Sequence, residues 1–333
     1  MNKNENKTKE DIKKSKDTNI NKSNAKENSQ NNDEQELLDI KNDYVFKRTF
    51  GYKGDEEVTK VLLRDILGMK VNEIDLDVNP ITEKELMDDK LGIMDIASVV
   101  NDNVQVDIEM QVVNKNNIEK RIMYYWNTYY KKSISKGDDY GELKRTIIIL
   151  IADFEIKGIE QAKKYFTEWE IREKDYSELI LTDVLKICII ELPKYIKYKV
   201  NNPNLNLWTE FLENPEVINM LEKDIEKEKD ESLKTTKKAI KQAKDTLEQI
   251  SKDKHEQELA RLRKKYIMDQ NAIQEYGYCI GIEEGVEIGK LDGIKIGKYE
   301  NMKETAKKML AKKMPVDVII EITGLSREEI EKL

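Results

Sequence analysis

Residues 93–113 read IMDIASVVNDNVQVDIEMQVV, and this stretch decides the fold. It contains two runs rich in β-branched residues, 93–100 and 104–113, on either side of Asn101-Asp102-Asn103. Such runs around a short group of turn-forming residues are typical of a β-hairpin. The sequence therefore predicts two antiparallel strands joined by a three-residue turn.

The register of this hairpin predicts a pair of facing carboxylates. If Asp102 is the centre of the turn, Asp95 lies opposite Glu109, and Gln111 follows on the same face. Facing side chains in an antiparallel pair have Cβ atoms ~4.5–5.5 Å apart, so two carboxylates there repel each other unless a cation lies between them. The alternative is two solvated acids on an exposed face, and a slip of one residue would separate them.

The segments around the hairpin predict an α/β domain over residues 34–215. Apolar periodicity before the hairpin predicts helices that end at Gly68, where glycine is a common helix stop. Residues 116–136 have helical spacing as well. The run TIIILIADF at 146–154 is continuously apolar, as in a central strand that is covered on both faces.

The rest of the chain divides into four segments. Residues 1–33 form a polar tail in which lysines alternate with acids, and we expect it to be disordered. Residues 216–276 contain no glycine or proline, and Leu233, Ile240 and Leu247 recur every seven positions, which predicts a long charged helix or coiled coil. The remaining segments are 277–300 and 301–333.

Residues 277–300 carry a glycine at every fourth position. Glycine inside a helix costs ~1 kcal/mol relative to alanine, so the pattern predicts either the close approach of a partner helix or a flexible linker. The glycines are Gly277, Gly281, Gly285, Gly289, Gly293 and Gly297.

Residues 301–333 predict a compact helical unit, with a capping box at Ser326 and Glu329. One interpretation is a helix-turn-helix DNA reader. The last helix, SREEIEKL, is acidic, whereas a helix that faces phosphates should be basic, so the sequence favours a small helical cap.

Composition limits the chemistry. The 333 residues include one histidine, His255, and two cysteines, with a net charge of −8. Histidine triads and histidine- or cysteine-ligated metal sites therefore do not fit, which leaves carboxylates with Mg²⁺ (or Mn²⁺). No stretch approaches the ~20 apolar residues of a membrane span, and the N-terminus has no apolar signal core. We expect a bacterial cytoplasmic protein with no membrane partner.

At the hairpin residues Asp95 and Glu109 the chain resembles a known family, the PD-(D/E)XK nuclease family transposases. These are relatives of the recombination-promoting nuclease (Rpn) proteins. Asp95 followed by Glu109-Met110-Gln111 is similar to the D…(E/D)-x-K signature, with Gln111 at the lysine position. The resemblance covers roughly 42–333. It is carried by NDYVFKRTFG, DDKLGIMDI, VDIEMQ, KRIMYYWNTYYKKSISKGDDYGELK, TIIILIADF, the glycine-every-four stretch and ITGLSREEIEKL.

The resemblance implies a restriction-endonuclease-like mixed sheet flanked by helices, and metal-dependent DNA cleavage. It implies that Asp95 and Glu109 bind the metal and that Gln111 belongs to the catalytic set. Asp43 matches an acid on the family's first helix, as a third metal- or water-orienting group; the alternative is a helix N-cap. Because an amide lacks the charge of lysine, Lys90, Lys120 or Arg121 would have to supply it.

Residues 115–145 predict a nucleic-acid face. They include eight basic and four acidic residues, with tyrosines and a tryptophan between them. The candidate DNA contacts are Lys120, Arg121, Lys131 and Lys132.

The preferred interpretation is a DNA endonuclease with a C-terminal helical arm through which it forms a homo-oligomer. The alternatives are a weak or inactive DNA-binding or assembly protein that retains the fold, and a defence-type nuclease effector.

Overall fold

The computed structural model of the chain describes residues 36–52, 54, 56–77, 95–114 and 117–333. The predicted disordered tail at 1–33 and Lys90 lie outside these residues. In the described part of the chain, strands form a mixed sheet in the order β1-β2-β3-β4-β6-β5, with helices on both faces. This architecture confirms the predicted α/β, restriction-endonuclease-like class.

The elements follow one another along the chain with short 3-10 turns between some of them. Their bounds are α1 Asp43–Phe50, α2 Glu56–Leu67, β1 Ile74–Asp77, β2 Ile96–Val100, β3 Val104–Gln111, α3 Ile118–Lys132, β4 Arg145–Ala152, β5 Phe166–Arg172, β6 Ile180–Glu191, α4 Pro203–Glu213, α5 Ile218–Leu221, α6 Glu231–Lys252, α7 Lys254–Ala311, α8 Val316–Thr323 and α9 Arg327–Glu331.

Strands β2 and β3 form the predicted hairpin in the predicted register. Val100 faces Val104, and Ala97 faces Asp107. The turn between the strands contains Asn101, which has a φ of 48°. Asparagine tolerates this left-handed region better than most residues, which suits it to the turn.

Strand β4 is central and buried on both faces, as its apolar run predicts. It lies parallel to β3 on one side and to β6 on the other. Ile147, Ile149 and Ile151 enter a large core with α1, α2, α4 and α6. Ile148 and Leu150 enter a second core beneath α3. The sheet is therefore anchored from both sides, and β3 lies beside its most rigid strand.

The region 216–276, predicted as one long exposed helix, contains the short helix α5 with 3-10 turns, then α6, and then the first part of α7. In α6, Ile240 and Leu247 are 0% exposed and belong to the large core of the α/β domain. Helix α6 ends before Asp253, whose carboxylate caps the start of α7. The seven-residue spacing correctly marks one apolar face of a helix, but α2 and α4 cover that face instead of a coiled-coil partner.

Helix α7 is a single helix of 58 residues that contains the whole glycine-every-four segment. Because residues 277–300 are helical, they do not form the flexible linker that was one interpretation of the glycine pattern. Only Leu259, Ala260 and Ala306 of α7 are buried. No helix in the described ranges combines the length and apolar character that crossing a membrane requires.

The C-terminal residues form a small helical unit around the end of α7. Ala306, Ile319, Leu325 and Ile330 make up its core. The predicted capping box at the start of α9 is present.

We predict that Ile240→Ala lowers the free energy of unfolding of the α/β domain by about 2–5 kcal/mol, because it leaves a cavity in a closed core. Ile273→Ala on α7 is the control, since Ile273 is 65% exposed. Urea unfolding measures both. Equal, small effects would contradict the placement of α6 in the core.

Candidate functional site

The site lies at the open end of the β2–β3 hairpin. Asp95 immediately precedes β2, and its Oδ2 accepts a hydrogen bond of 2.8 Å from the main-chain N–H of Met110. Its own main-chain N–H donates to Oε1 of Glu109 at 3.4 Å. The structure thus brings Asp95 and Glu109 together, as the hairpin register predicts.

A third carboxylate, Asp107, belongs to the same cluster and was missed by the sequence interpretation. Because alternate residues of a strand share a face, Asp107 and Glu109 both point toward α3. Asp107 is fully buried, and apart from a carboxyl–carboxyl contact with Glu109 its oxygens have no hydrogen-bond partner among the residues that the structure describes. Its two-residue spacing from Glu109 was the signal that could have found it.

Burial raises the pKa of all three carboxyl groups well above the usual range. After burial, the largest cause that raises each pKa is the charge of a neighbouring carboxylate. The charge of Glu109 raises the pKa of Asp95, that of Asp95 raises the pKa of Asp107, and that of Asp107 raises the pKa of Glu109. Lys47, a largely buried residue of α1, opposes the rise in the pKa of Asp95 and of Asp107. Ionised carboxylates this close together are unfavourable unless a cation compensates them.

The donor set suits a hard divalent cation. Carboxylate oxygens are the ligands that Mg²⁺ and Mn²⁺ prefer, and the three buried carboxyl groups are close enough together to raise one another's pKa. Within the described residues, no three Asp, Glu, His or Cys side chains converge on one ion position. The facing pair Asp95 and Glu109 would therefore hold the ion, with Asp107 behind them.

Gln111 connects this cluster to a guanidinium group. Its Nε2 donates to Oε2 of Glu109 at 3.4 Å, and its Oε1 accepts from Nη1 of Arg121 at 3.4 Å. Nη2 of Arg121 also donates to the hydroxyl of Tyr125 at 2.9 Å. Burial dominates the raised pKa of Glu109, and the charge of Arg121 opposes it. Arg121 thus places positive charge beside the glutamine that stands where the superfamily has lysine.

The other candidate DNA contacts lie on the outer surface of α3. Lys120, Lys131 and Lys132 are exposed. Lys120 donates to the side chain of Asn117 at 3.2 Å and does not reach Gln111. Their ammonium groups are exposed and could reach DNA phosphates, and the charge of Lys132 also opposes the rise in the pKa of Asp107.

Asp43 lies near the cluster, but its carboxylate is held by Arg263 of α7. Nε of Arg263 donates to both oxygens of Asp43 at 2.9 Å. The N-cap of α1 is Asn42, whose side chain accepts from the N–H groups of Tyr44 and Val45, so Asp43 is not the cap. Its assignment as a metal- or water-orienting group stays a prediction.

Further contacts attach the first turns of α7 to α1. Glu256 accepts a hydrogen bond of 2.6 Å from the hydroxyl of Tyr44 and pairs with Arg48 at 2.8 Å. Arg263 and Asp43 are 220 positions apart in the sequence, and no sequence pattern predicted their contact. The helix that carries Asp43 and Lys47 is therefore bound to the base of the C-terminal arm.

Comparison with protein families identifies the chain. The family model described as PD-(D/E)XK nuclease family transposase matches residues 40–277. The chain therefore belongs to the PD-(D/E)XK nuclease family transposases. No curated protein and no solved structure matches it.

A second family model, described as the C-terminal HTH domain of the Rpn/YhgA-like nuclease family, matches residues 301–333. This match supports the helix-turn-helix interpretation. The acidic sequence of α9 had instead favoured a plain helical cap. The charge of one short helix was the wrong criterion for choosing between them, since the acids of α9 include Glu329 of the capping box.

We predict that the metal-free protein becomes more stable as the pH falls from 8 toward 5. The carboxyls of Asp95, Asp107 and Glu109 have raised pKa values, so the folded state binds protons before the unfolded state does. The gain ends near pH 4, where the unfolded carboxyls are also protonated. Thermal melting in EDTA across this range measures the effect.

In the same assay, Asp107→Asn should raise the melting temperature at pH 7, by about 2–4 °C for each kcal/mol of repulsion that it removes. It should also flatten the pH dependence. Asp183→Asn, which changes an exposed residue of β6, is the control. A pH dependence identical to that of the wild type would show that Asp107 carries no buried charge.

We predict that Arg263→Gln lowers the free energy of unfolding by about 2 kcal/mol, because it leaves the mostly buried Asp43 without its partner. Arg261→Gln is a matched control two positions away, since Arg261 forms an exposed pair with Glu258 and its loss should have little effect on stability. Urea unfolding measures both variants. Adding Asp43→Asn to Arg263→Gln should recover much of the loss, and no recovery would contradict a specific pair.

Proposed function

We propose that this chain is a Mg²⁺- or Mn²⁺-dependent DNA endonuclease in which Asp95 and Glu109 hold the ion. One observation carries the proposal: the two carboxylates face each other at the open end of the hairpin, with raised pKa values and a third carboxylate behind them. Family membership supports nuclease chemistry, and the helix-turn-helix unit supports DNA as the partner.

When bound, the ion would polarise the scissile phosphate and lower the pKa of a water molecule. The chain's own groups do the rest. The N–H of Met110 binds Oδ2 of Asp95 and so fixes this carboxylate, which leaves Oδ1 as its ligand for the ion. The amide of Gln111, held between Glu109 and Arg121, orients a water molecule or a phosphate oxygen.

Arg121 supplies the positive charge that lysine supplies in the wider superfamily. Its guanidinium lies against Gln111 and is fixed by Tyr125, so it can neutralise charge that develops on the phosphate. Lys120, Lys131 and Lys132 on the surface of α3 contact phosphates farther along the DNA.

The arm mediates self-association. Helix α7 exposes aliphatic side chains and glycines over many turns, and an isolated helix of this composition gains little from its own residues. A partner helix from a second copy would cover them. We place the protein in the bacterial cytoplasm.

The test of the nuclease proposal is cleavage of plasmid DNA by the full chain. With Mg²⁺ we expect nicking by the wild type and by the control Asp183→Asn. We expect the nicking rate to fall by at least about 100-fold in Asp95→Asn and in Glu109→Gln. In EDTA we expect no nicking by any of these proteins. Equal nicking by all variants would overturn the roles of Asp95 and Glu109. No nicking by the wild type with either Mg²⁺ or Mn²⁺ would favour the inactive DNA-binding alternative.

We predict that Arg121→Gln lowers the cleavage rate by about 10²-fold with little change in DNA affinity, because it removes charge at the reacting phosphate. Lys120→Gln, its neighbour on α3, should instead weaken DNA binding modestly and reduce its salt dependence. Single-turnover cleavage and fluorescence anisotropy separate the two effects. Equal changes in both variants would show that Arg121 is an ordinary phosphate contact.

A further inference from the structure

None of the residues that the structure describes covers the middle of α7. None of its residues between Ala260 and Ala306 is buried. A Cβ built on any glycine from Gly277 to Gly297 meets nothing within 4 Å. The aliphatic side chains here are 48–60% exposed; they are Ile282, Val286, Ile288, Leu291, Ile294 and Ile296.

The charges of this segment are arranged symmetrically about Leu291. Glu287 precedes it by four positions and Lys295 follows it by four. Glu284 precedes it by seven positions and Lys298 follows it by seven. Because residues four and seven positions apart share a helix face, the four charges and Leu291 lie on one face.

The apolar residues beside this face have the same symmetry. Ile288 and Ile294 lie three positions before and after Leu291. We call this the Leu291 face: Glu284, Glu287, Ile288, Leu291, Ile294, Lys295 and Lys298. It has an apolar centre, an acidic end and a basic end, so it is complementary to a reversed copy of itself.

We propose that the Leu291 face binds the same face of a second copy as an antiparallel helix, with the two-fold axis at Leu291. Glu287 then faces the partner's Lys295, and Glu284 faces the partner's Lys298. A parallel pair would instead place each acid against an acid and each lysine against a lysine, which is unfavourable. The proposal rests on the self-association proposed above and adds its orientation and register.

One contact within the chain competes with this pairing. Nζ of Lys295 lies 3.6 Å from Asp292 on the same helix. Both side chains are well exposed, and pairs of this kind contribute little, so Lys295 can exchange Asp292 for a glutamate of the partner.

The antiparallel arrangement has a consequence for DNA. From Leu291 to the end of α7 is about 30 Å, and from Leu291 back to Arg263 is about 40 Å, at 1.5 Å per residue. The helix-turn-helix unit of each copy therefore lies toward the nuclease domain of the other copy. DNA bound by one chain is presented to the carboxylate cluster of its partner.

Charge reversal in the full chain tests the orientation, with the dimer dissociation constant measured by analytical ultracentrifugation at low salt. E284K/E287K and K295E/K298E should each weaken the dimer by about tenfold or more, because attraction becomes repulsion on both sides of the axis. The combination of all four changes should restore association. E275K/E300K, on the opposite side of α7, makes the same change of net charge and should have little effect.

Disulfide trapping gives a second readout of orientation. In a Cys279→Ser background, E287C mixed with K295C should form cross-linked dimers, whereas each variant alone should form few. Self-cross-linking of each variant alone would show a parallel pair and overturn the proposal.

The outcomes also separate this proposal from those above. A monomeric wild type would overturn self-association and the register together. A dimer that is unaffected by E284K/E287K would overturn the Leu291 face alone. Neither result changes the expectation for Asp95→Asn in the cleavage assay.

Discussion

The pairing of β2 with β3 in a single register is the constraint on which the candidate site depends. It forces Asp95 and Glu109 to meet at the open end of the hairpin and places Asp107 beneath them. Helix α3 and strand β4 then bury this edge, which raises the pKa of the three carboxyl groups and makes their ionised forms costly. If ionised, three acids this close together destabilise the fold unless a cation compensates their charge.

The same edge is connected to the C-terminal arm. Helix α1 lies beside the carboxylate cluster, and the first turns of α7 hold it through Glu256 and Arg263. Since α7 continues from these contacts to the helix-turn-helix unit, one continuous helix joins that unit to the edge of the sheet that carries the carboxylates. A shift of α7 relative to α1 would directly alter the ion pair between Arg263 and Asp43.

The local part of this structure could be predicted from the sequence. The hairpin register follows from β-branched alternation and a short turn, and the burial of β4 follows from its apolar run. Strands β1 and β5 were missed because they are short or mostly exposed edge strands with weak patterns. Helix α6 was misplaced because a seven-residue spacing shows that a face is apolar without showing what covers it.

By itself, the sequence determined which residues face one another across the hairpin and which chemistry the chain could support. Both depend on neighbours along the chain and on composition: a two-residue alternation, a turn, and a single histidine. Only the tertiary structure decided that Asp43 pairs with Arg263, that Arg121 reaches Gln111, and that Asp107 is fully buried beside Glu109. These contacts join elements that are distant in sequence or depend on how deeply a side chain is covered. Packing of whole helices against the sheet sets them, and no local pattern records that packing.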